Sequence, residues 1–153
     1  MTIARLCRRS QWPAAVVALI LTSPLIWWSL DRRQPAKTIA VALVPKEVPA
    51  GAIIHRVITV DRDRVCPSDP DITILDGARV RWTIEAPAVQ TPGVVGLDTY
   101  KVPVQIPPAA NPGPAEMRVT LVRRCNPIQT VFPLVEALPP IPFVILPPEK
   151  VSR

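Results

Sequence analysis

The side chains that enzymes use for catalysis or metal binding are sparse in this sequence. His55 is the only histidine among 153 residues, and Ser68 and Ser152 are the only serines after residue 30. A serine nucleophile needs a nearby base and a sharp strand-to-helix turn, and neither serine lies in such a context. A copper electron-transfer site needs two histidines and a cysteine, and zinc needs four ligands with reduced thiols. The sequence therefore predicts neither enzyme activity nor a cofactor.

The acidic residues cluster between residues 61 and 76. Asp61 and Asp63 would share one face of a strand, where two carboxylates can seed a calcium site, so they are candidate metal ligands. The other members lie beside proline or glycine, as turn-forming residues do; they are Asp69, Asp71 and Asp76. Turn formation and ion pairing with Arg62 and Arg64 are the alternative to calcium binding.

The chain contains three cysteines, Cys7, Cys66 and Cys125. A disulfide between Cys66 and Cys125 would close a loop of about 60 residues and stabilise the fold by about 3–4 kcal/mol. Such a bond persists in an oxidising compartment, so its prediction depends on the location of the domain. Two buried free thiols in a cytosolic domain are the alternative.

The positive charge is concentrated near the N-terminus. The formal net charge is +6, and +4 of it lies in the first 36 residues. The remainder lacks the clustered charge that phosphate neutralisation requires, so no nucleic-acid partner is expected. Arginines beside an apolar segment instead indicate contact with lipid headgroups and a membrane orientation.

An uncharged, mainly apolar segment covers residues 12–30. As a helix it would be about 28 Å long, close to the hydrocarbon thickness of a bilayer. Trp12 at one end and Trp27 and Trp28 at the other would occupy the two membrane interfaces. These features predict a transmembrane helix over 12–30, with the lipid bilayer as a partner. A cleaved signal peptide is the alternative, although no small-x-small cleavage site closely follows the apolar run.

The distribution of arginine around this segment also predicts its orientation. Residues 1–11 would be cytoplasmic, because the side of a span with more positive charge stays inside. The protein would then be a single-pass protein of the inner (cytoplasmic) membrane, with its C-terminal part periplasmic or extracellular. That location favours the Cys66–Cys125 disulfide.

The remainder of the chain alternates apolar and polar residues with the period of β-strands. Asp76-Gly77 predicts a type I′ hairpin turn, and Pro103 predicts an edge strand or a bulge. Residues 31–44 are a juxtamembrane linker or a first strand, and 45–138 hold six to eight short strands. The alternating segments are 79–86, 100–106 and 116–125, and further strands are predicted over 39–44, 53–60, 64–66 and 128–135.

The positions of Cys66, Trp82 and Cys125 resemble those of immunoglobulin-like domains. The resemblance implies a β-sandwich in which Trp82 lies in the core, against a disulfide that joins the two sheets. The tyrosine that this family has two residues before the second cysteine is replaced by Arg123. A different sandwich topology therefore stays open.

The anchored plan also resembles short membrane proteins of unknown function from bacteriophage and prophage genomes. The segments that carry this resemblance are DTYKVPVQIP at 98–107 and CNPI at 125–128. The resemblance implies no known activity.

Residues 139–153 are rich in proline and predict an extended, polyproline-like tail. One interpretation is a ligand for an aromatic groove in another protein. The other is a tail along the domain, with Ile141, Phe143 and Ile145 covering an apolar edge.

Together these features predict a non-catalytic binding or structural role at the cell envelope, with an unknown envelope protein as partner. Arg79 and Arg81, on the polar face of a predicted strand, are the candidate binding residues. Three alternatives remain: a phage lysis or superinfection-exclusion factor, an accessory subunit of a membrane complex that acts through its helix, and an envelope enzyme.

Overall fold

The computed structural model describes residues 3–85 and 93–147. Within these ranges the chain forms one α-helix, nine β-strands and one short 3₁₀ helix. The elements are α1 (Ile3–Leu30), β1 (Ala36–Val44), β2 (Glu47–Pro49), β3 (Ile53–Arg62), β4 (Ser68–Leu75), β5 (Arg81–Ile84), β6 (Gly96–Gln105), β7 (Gly113–Arg123), the 3₁₀ helix (Pro127–Thr130), β8 (Leu134–Ala137) and β9 (Ile141–Leu146). The prediction of a mainly β protein is confirmed.

The described strands form two sheets that face each other. The three-stranded sheet has the order β1-β3-β6, and the six-stranded sheet has the order β2-β9-β7-β4-β5. Strand β8 pairs with the last residues of β7 and β9 pairs with the first, so both lie along one edge of β7. Strands β2 and β9 are parallel, and the other pairs are antiparallel.

Alternating apolar residues of both sheets meet in one main core. The cluster contains Leu43, Ile54, Val104 and Ile106 from the side of the smaller sheet and Ile72, Ile74, Met117, Val119, Phe143 and Ile145 from the larger sheet. Complete burial of one such side chain contributes about 1.5–3 kcal/mol. Apolar burial between the sheets is therefore the main force that holds them face to face.

Strand β6 confirms the expectation that Pro103 lies on an edge. Val102 and Val104 are buried, whereas Lys101 and Pro103 between them are exposed, as the alternation predicted. Within the described residues β6 pairs only with β3 and ends its sheet. Proline has no N–H for a further ladder, so its place on an edge strand disrupts no pairing.

Helix α1 exists, but the predicted transmembrane helix is wrong. Within the part of the chain that the structure describes, no helix combines the length and the apolar character needed to cross a membrane. This finding also contradicts the single-pass inner-membrane location with its cytoplasmic N-terminus.

Two other predicted strands differ from the structure. Residues 64–66 form a loop, and the segment 128–135 contains the 3₁₀ helix before β8 begins. The side chain of Asn126 caps the 3₁₀ helix by accepting a 3.0 Å hydrogen bond from Gln129 N. Pro127 occupies the first position of the 3₁₀ helix, where its missing N–H costs nothing. The cap and the proline therefore favour a helical turn here, and the strand begins only at Leu134.

The predicted proline-rich tail is partly a strand of the larger sheet. Residues 141–146 form β9, which lies between β2 and β7 and buries Phe143 and Ile145. Pro139-Pro140 separates β8 from β9, so the predicted domain boundary at 138 falls inside the sheet. Residues 148–153 lie outside the described part of the chain.

Residues 36–44, within the segment predicted as a linker or a first strand, form β1. This strand pairs with β3 from Ala36 opposite Arg62 to Val44 opposite His55. Only residues 31–35 therefore connect α1 to the first strand of the sandwich.

Candidate functional site

Cys66 and Cys125 form the predicted disulfide, with Cα atoms 4.9 Å apart. The bond lies just beyond the ladder between β4 and β7, whose last pair is Ser68 opposite Arg123. It therefore joins neighbouring strands of one sheet, whereas the immunoglobulin resemblance implied a bond between two sheets. Both cysteines are half-buried and lie outside the main apolar cluster.

Trp82 packs against the core cluster, as predicted for a core residue. Its indole N–H, however, is hydrogen-bonded to Asp76, which is not part of the predicted contact with the disulfide. Its Nε1 donates to Oδ2 of Asp76 at 3.0 Å, and Asp76 is completely buried. Four further N–H donors reach the same carboxylate, namely Ala78 N, Val80 N, Asn111 N and Asn111 Nδ2. Asp76 thereby connects the β4–β5 hairpin to the loop before β7.

Burial would raise the pKa of Asp76, because it removes water from the charged carboxylate. Hydrogen bonds from Asn111, Trp82 and Val80 outweigh that effect and hold the pKa well below its usual range. The charged carboxylate is therefore a structural centre whose hydrogen-bonding capacity is already used.

The hairpin predicted at Asp76-Gly77 exists, but its turn is longer than predicted. Leu75 lies opposite Arg81, so the connection contains the five residues 76–80. The residue with positive φ is Arg79, at 65°, rather than Gly77. Glycine is required at 77 for space, since an added Cβ would lie 2.2 Å from the carbonyl oxygen of Pro112.

Arg79 and Arg81, the candidate binding residues, lie on the exposed surface of the larger sheet. Arg79 Nη1 is 3.8 Å from Glu116 Oε2, and Arg81 Nη2 is 3.5 Å from Thr73 Oγ1. Contacts at these distances are weak, and the two side chains do not converge on a concave site.

Asp61 and Asp63, the calcium candidates, are both exposed. Among the described residues no group of three or more His, Cys, Asp or Glu side chains is close enough to hold a metal ion. No described residue therefore completes a cation site with Asp61 and Asp63.

A cavity of about 550 Å³ lies between the sheets, at the end where β3 and β7 finish and β4 begins. Arg56, Tyr100 and Val102 line it from the smaller sheet, and Leu121 and Arg123 line it from the larger sheet. The loop 65–70, which contains Cys66, forms part of the wall. The disulfide therefore holds one side of this cavity in place.

Arg56 is the most unusual residue of the wall. Its position on β3 is in phase with Ile54 and Ile58, and only 2% of its surface is exposed. Its Nε and Nη1 atoms are buried without a hydrogen-bond partner in the structure. Burial lowers the pKa of the guanidinium, and Tyr100 opposes this shift. A buried cation without a partner costs several kcal/mol of stability, on the order of the penalty for one desolvated ion.

The other three arginines on the wall each have a carboxylate partner. Arg62 Nη1 is 2.5 Å from Asp98 Oδ2, Arg64 Nη1 is 2.5 Å from Asp31 Oδ2, and Arg123 pairs with Glu136. The Arg62 guanidinium also lies 5.1 Å from the centre of the Tyr100 ring. The positive charges of these residues are compensated, and that of Arg56 is not compensated by any described residue.

The connection between α1 and β1 closes one side of the cavity through Pro35 and Ala36. Two cavity arginines hold this connection: Arg64 by its pair with Asp31, and Arg123 by donating to Gln34 Oε1 at 3.2 Å. The hydrogen bond from Arg64 is the main reason that the pKa of Asp31 is lowered, and the same bond raises the pKa of Arg64.

Sequence reasoning missed the central residue of this site. The signal is an arginine at an inward position of an alternating strand, in the pattern Ile54-x-Arg56-x-Ile58-x-Val60. Arg123 gives a similar signal on β7, and the structure shows it buried and in register rather than displaced by a bulge.

Comparison with known proteins gives no family assignment: no family model matches this chain, and no curated protein matches its sequence.

Proposed function

We propose that this protein is a non-catalytic binding module and that the cavity between its sheets binds an anionic ligand. The observation that carries the proposal is Arg56, a buried residue of the cavity wall whose Nε and Nη1 atoms have no hydrogen-bond partner. The binding site proposed here is this cavity. Arg79 and Arg81, the binding candidates from the sequence, do not line it.

An anion would relieve the electrostatic cost of Arg56. A charge-assisted hydrogen bond contributes about 1.5–3 kcal/mol, because folding has already removed water from the donor. The neighbouring Arg62 and Arg123 are paired with Asp98 and Glu136, so the uncompensated charge that would attract an anion is that of Arg56.

The groups on the wall are suited to holding a ligand rather than transforming it. A guanidinium remains protonated at neutral pH, so it orients an anion without exchanging a proton. Cys66 is held in a disulfide, which removes it as a nucleophile. These properties support a binding function in place of catalysis.

The test is a thermal-unfolding titration of the full chain with formate and acetate, at an ionic strength held constant with chloride. A ligand that binds only the folded state stabilises it by RT ln(1 + L/Kd), where L is the free ligand concentration, so the Tm rises as L exceeds the Kd. We expect the anions to raise the Tm of the wild type and of Arg81→Met, whose arginine is exposed. Arg56→Met should lose the response, and an equal response in Arg56→Met would contradict the proposal.

A further inference from the structure

We propose that the ligand of this cavity is an amphipathic monoanion, a molecule with one negatively charged head group and an apolar body. The inference rests on the proposed function, since it names the class of anion that the cavity takes. The head would lie against Arg56, and the body would lie along the apolar part of the wall.

The charges of the wall favour a single negative charge on the ligand. Arg62, Arg64 and Arg123 are paired with Asp98, Asp31 and Glu136, which leaves one unpaired guanidinium, that of Arg56, among the four arginines of the wall. A dianion such as a phosphate monoester would place a second charge near three carboxylates. The wall also contains Asp69, which pairs with Arg124, so no further cation among the described residues of the wall would compensate the extra charge.

The uncharged part of the wall favours an apolar body. Four aliphatic side chains line the cavity, namely Val60, Val65, Val102 and Leu121, and Pro67 and Pro70 add further apolar surface. Val60 and Val102 are almost completely buried and Leu121 is half-buried, whereas Val65 is 51% exposed. A ligand with an apolar body would remove the accessible part of this surface, chiefly that of Val65, from water.

The dimensions of the cavity agree with a small ligand. Its volume of about 550 Å³ falls within the ~300–1,000 Å³ that is typical of small-molecule sites. Such sites are mostly apolar and contain a few polar groups that fix the orientation of the ligand. Arg56 would be that orienting group, because it is the described cation on the wall without a carboxylate partner.

The experiment measures the Kd of butanoate, hexanoate and octanoate for the full chain by isothermal titration calorimetry, below the micelle concentration of each. 1-Octanol serves as the neutral comparison, and inorganic phosphate serves as the compact multivalent anion. We expect the Kd to fall about fourfold for each added methylene, the gain from burying one CH₂ group. Octanoate should bind the wild type at least about tenfold more tightly than 1-octanol or phosphate.

Two pairs of variants measure separately how the charged head group and the apolar body of the ligand contribute to its affinity. Arg56→Met should remove the preference for octanoate over 1-octanol, whereas Arg81→Met should keep it. Val65→Ser should weaken octanoate about threefold and leave butanoate almost unchanged, since it removes apolar wall surface. Val131→Ser alters a valine that is 71% exposed and does not line the cavity, so it should bind like the wild type.

The outcomes distinguish this inference from the proposed function. Equal affinities for butanoate and octanoate, both lost in Arg56→Met, would overturn the amphipathic ligand and keep the anion site. Tighter binding of phosphate than of octanoate would overturn the single charge. Equal binding of octanoate to the wild type and to Arg56→Met would overturn the anion site itself.

Discussion

The indole nitrogen of Trp82 donates a 3.0 Å hydrogen bond to the carboxylate of Asp76, which has no exposed surface. The tryptophan that the immunoglobulin resemblance places against the disulfide is thus held by a buried aspartate. Asn111 donates to the same carboxylate from its backbone and its side chain, at 2.9 and 2.8 Å. Asp76 therefore connects the β4–β5 hairpin to the loop before β7, and its charge state should govern the stability of this end of the molecule.

The first prediction concerns the pH dependence that Asp76 confers. Because its pKa is lower in the folded state, its stabilisation is present above about pH 4 and is lost as the pH falls further. Asp76→Asn should lower the free energy of unfolding by at least about 2 kcal/mol at pH 7, since an amide leaves donors unpaired. The difference between wild type and variant should shrink below pH 4 by up to about 1.4 kcal/mol per pH unit.

Urea unfolding at pH 7, 4 and 3 measures this difference. Asp61→Asn is the matched control, because Asp61 is exposed and should give a small difference that does not change with pH. A difference for Asp76→Asn that stays constant down to pH 3 would show that Asp76 does not titrate as described.

The second prediction concerns the close contact at Gly77. A methyl group at this position would lie 2.2 Å from Pro112 O and 2.9 Å from the Cα of Gly113. Gly77→Ala should therefore push the 111–113 loop away from the hairpin and destabilise the fold by about 1–3 kcal/mol, the usual cost of overpacking. Chemical denaturation measures the loss. Alanine at exposed Ser68, in Ser68→Ala, adds no atom and should cost less than about 0.5 kcal/mol.

The third prediction separates a functional Arg56 from a structural one. Replacement of a buried, unpaired cation by an apolar side chain of similar length removes a desolvation cost. Arg56→Met should therefore leave the unliganded protein as stable as the wild type, or more stable by about 1–2 kcal/mol. Thermal unfolding without ligand provides the measurement.

Arg123→Met is the comparison for this prediction. Arg123 is also buried, but it pairs with Glu136, so its replacement should destabilise by about 3 kcal/mol through loss of the pair. If Arg56→Met proved as destabilising as Arg123→Met, Arg56 would be a structural residue rather than a ligand-binding one.

The fourth prediction concerns the disulfide on the cavity wall. Loss of the bond that joins Cys66 to Cys125, 59 residues apart, should cost about 3–4 kcal/mol in the chain-entropy account. The double variant Cys66→Ser/Cys125→Ser should show this loss in urea unfolding, while Cys7→Ser should behave like the wild type. Mass spectrometry of the non-reduced protein should show free thiol at Cys7 alone.

The local pattern of the sequence was enough to predict several elements correctly. Period-two alternation located β6 and β7, and Pro103 located a sheet edge. The Cys66–Cys125 pair was predicted from an exported location of the domain and is present in the structure. Each of these features depends on residues that are close in sequence or on a single covalent choice. The apolar run at 12–30 correctly indicated a helix, whereas the membrane span predicted for it is contradicted.

Features that depend on distant residues could not be predicted in the same way. Strand β9 belongs to the larger sheet because it pairs with β7 and β2. The prolines around it are typical of an extended tail, so the local sequence did not indicate a strand inside a sheet. The partners of Asp76 come from residue 111 as well as from its own hairpin. Pairing across a sheet is selected by the packing of all the strands together, and no local window contains that information.

By itself, the amino-acid order determined that the protein is mainly β, that residues 12–30 are helical and that Cys66 and Cys125 can bond. Only the tertiary structure decided that this bond lies within one sheet, that Asp76 is a buried acceptor and that Arg56 lines a cavity without a partner. The physical reason is that solvation and hydrogen-bond pairing are properties of a side chain's three-dimensional surroundings. For Arg56 those surroundings come from β3, β6, β7 and the loop 65–70, which meet only in the folded chain.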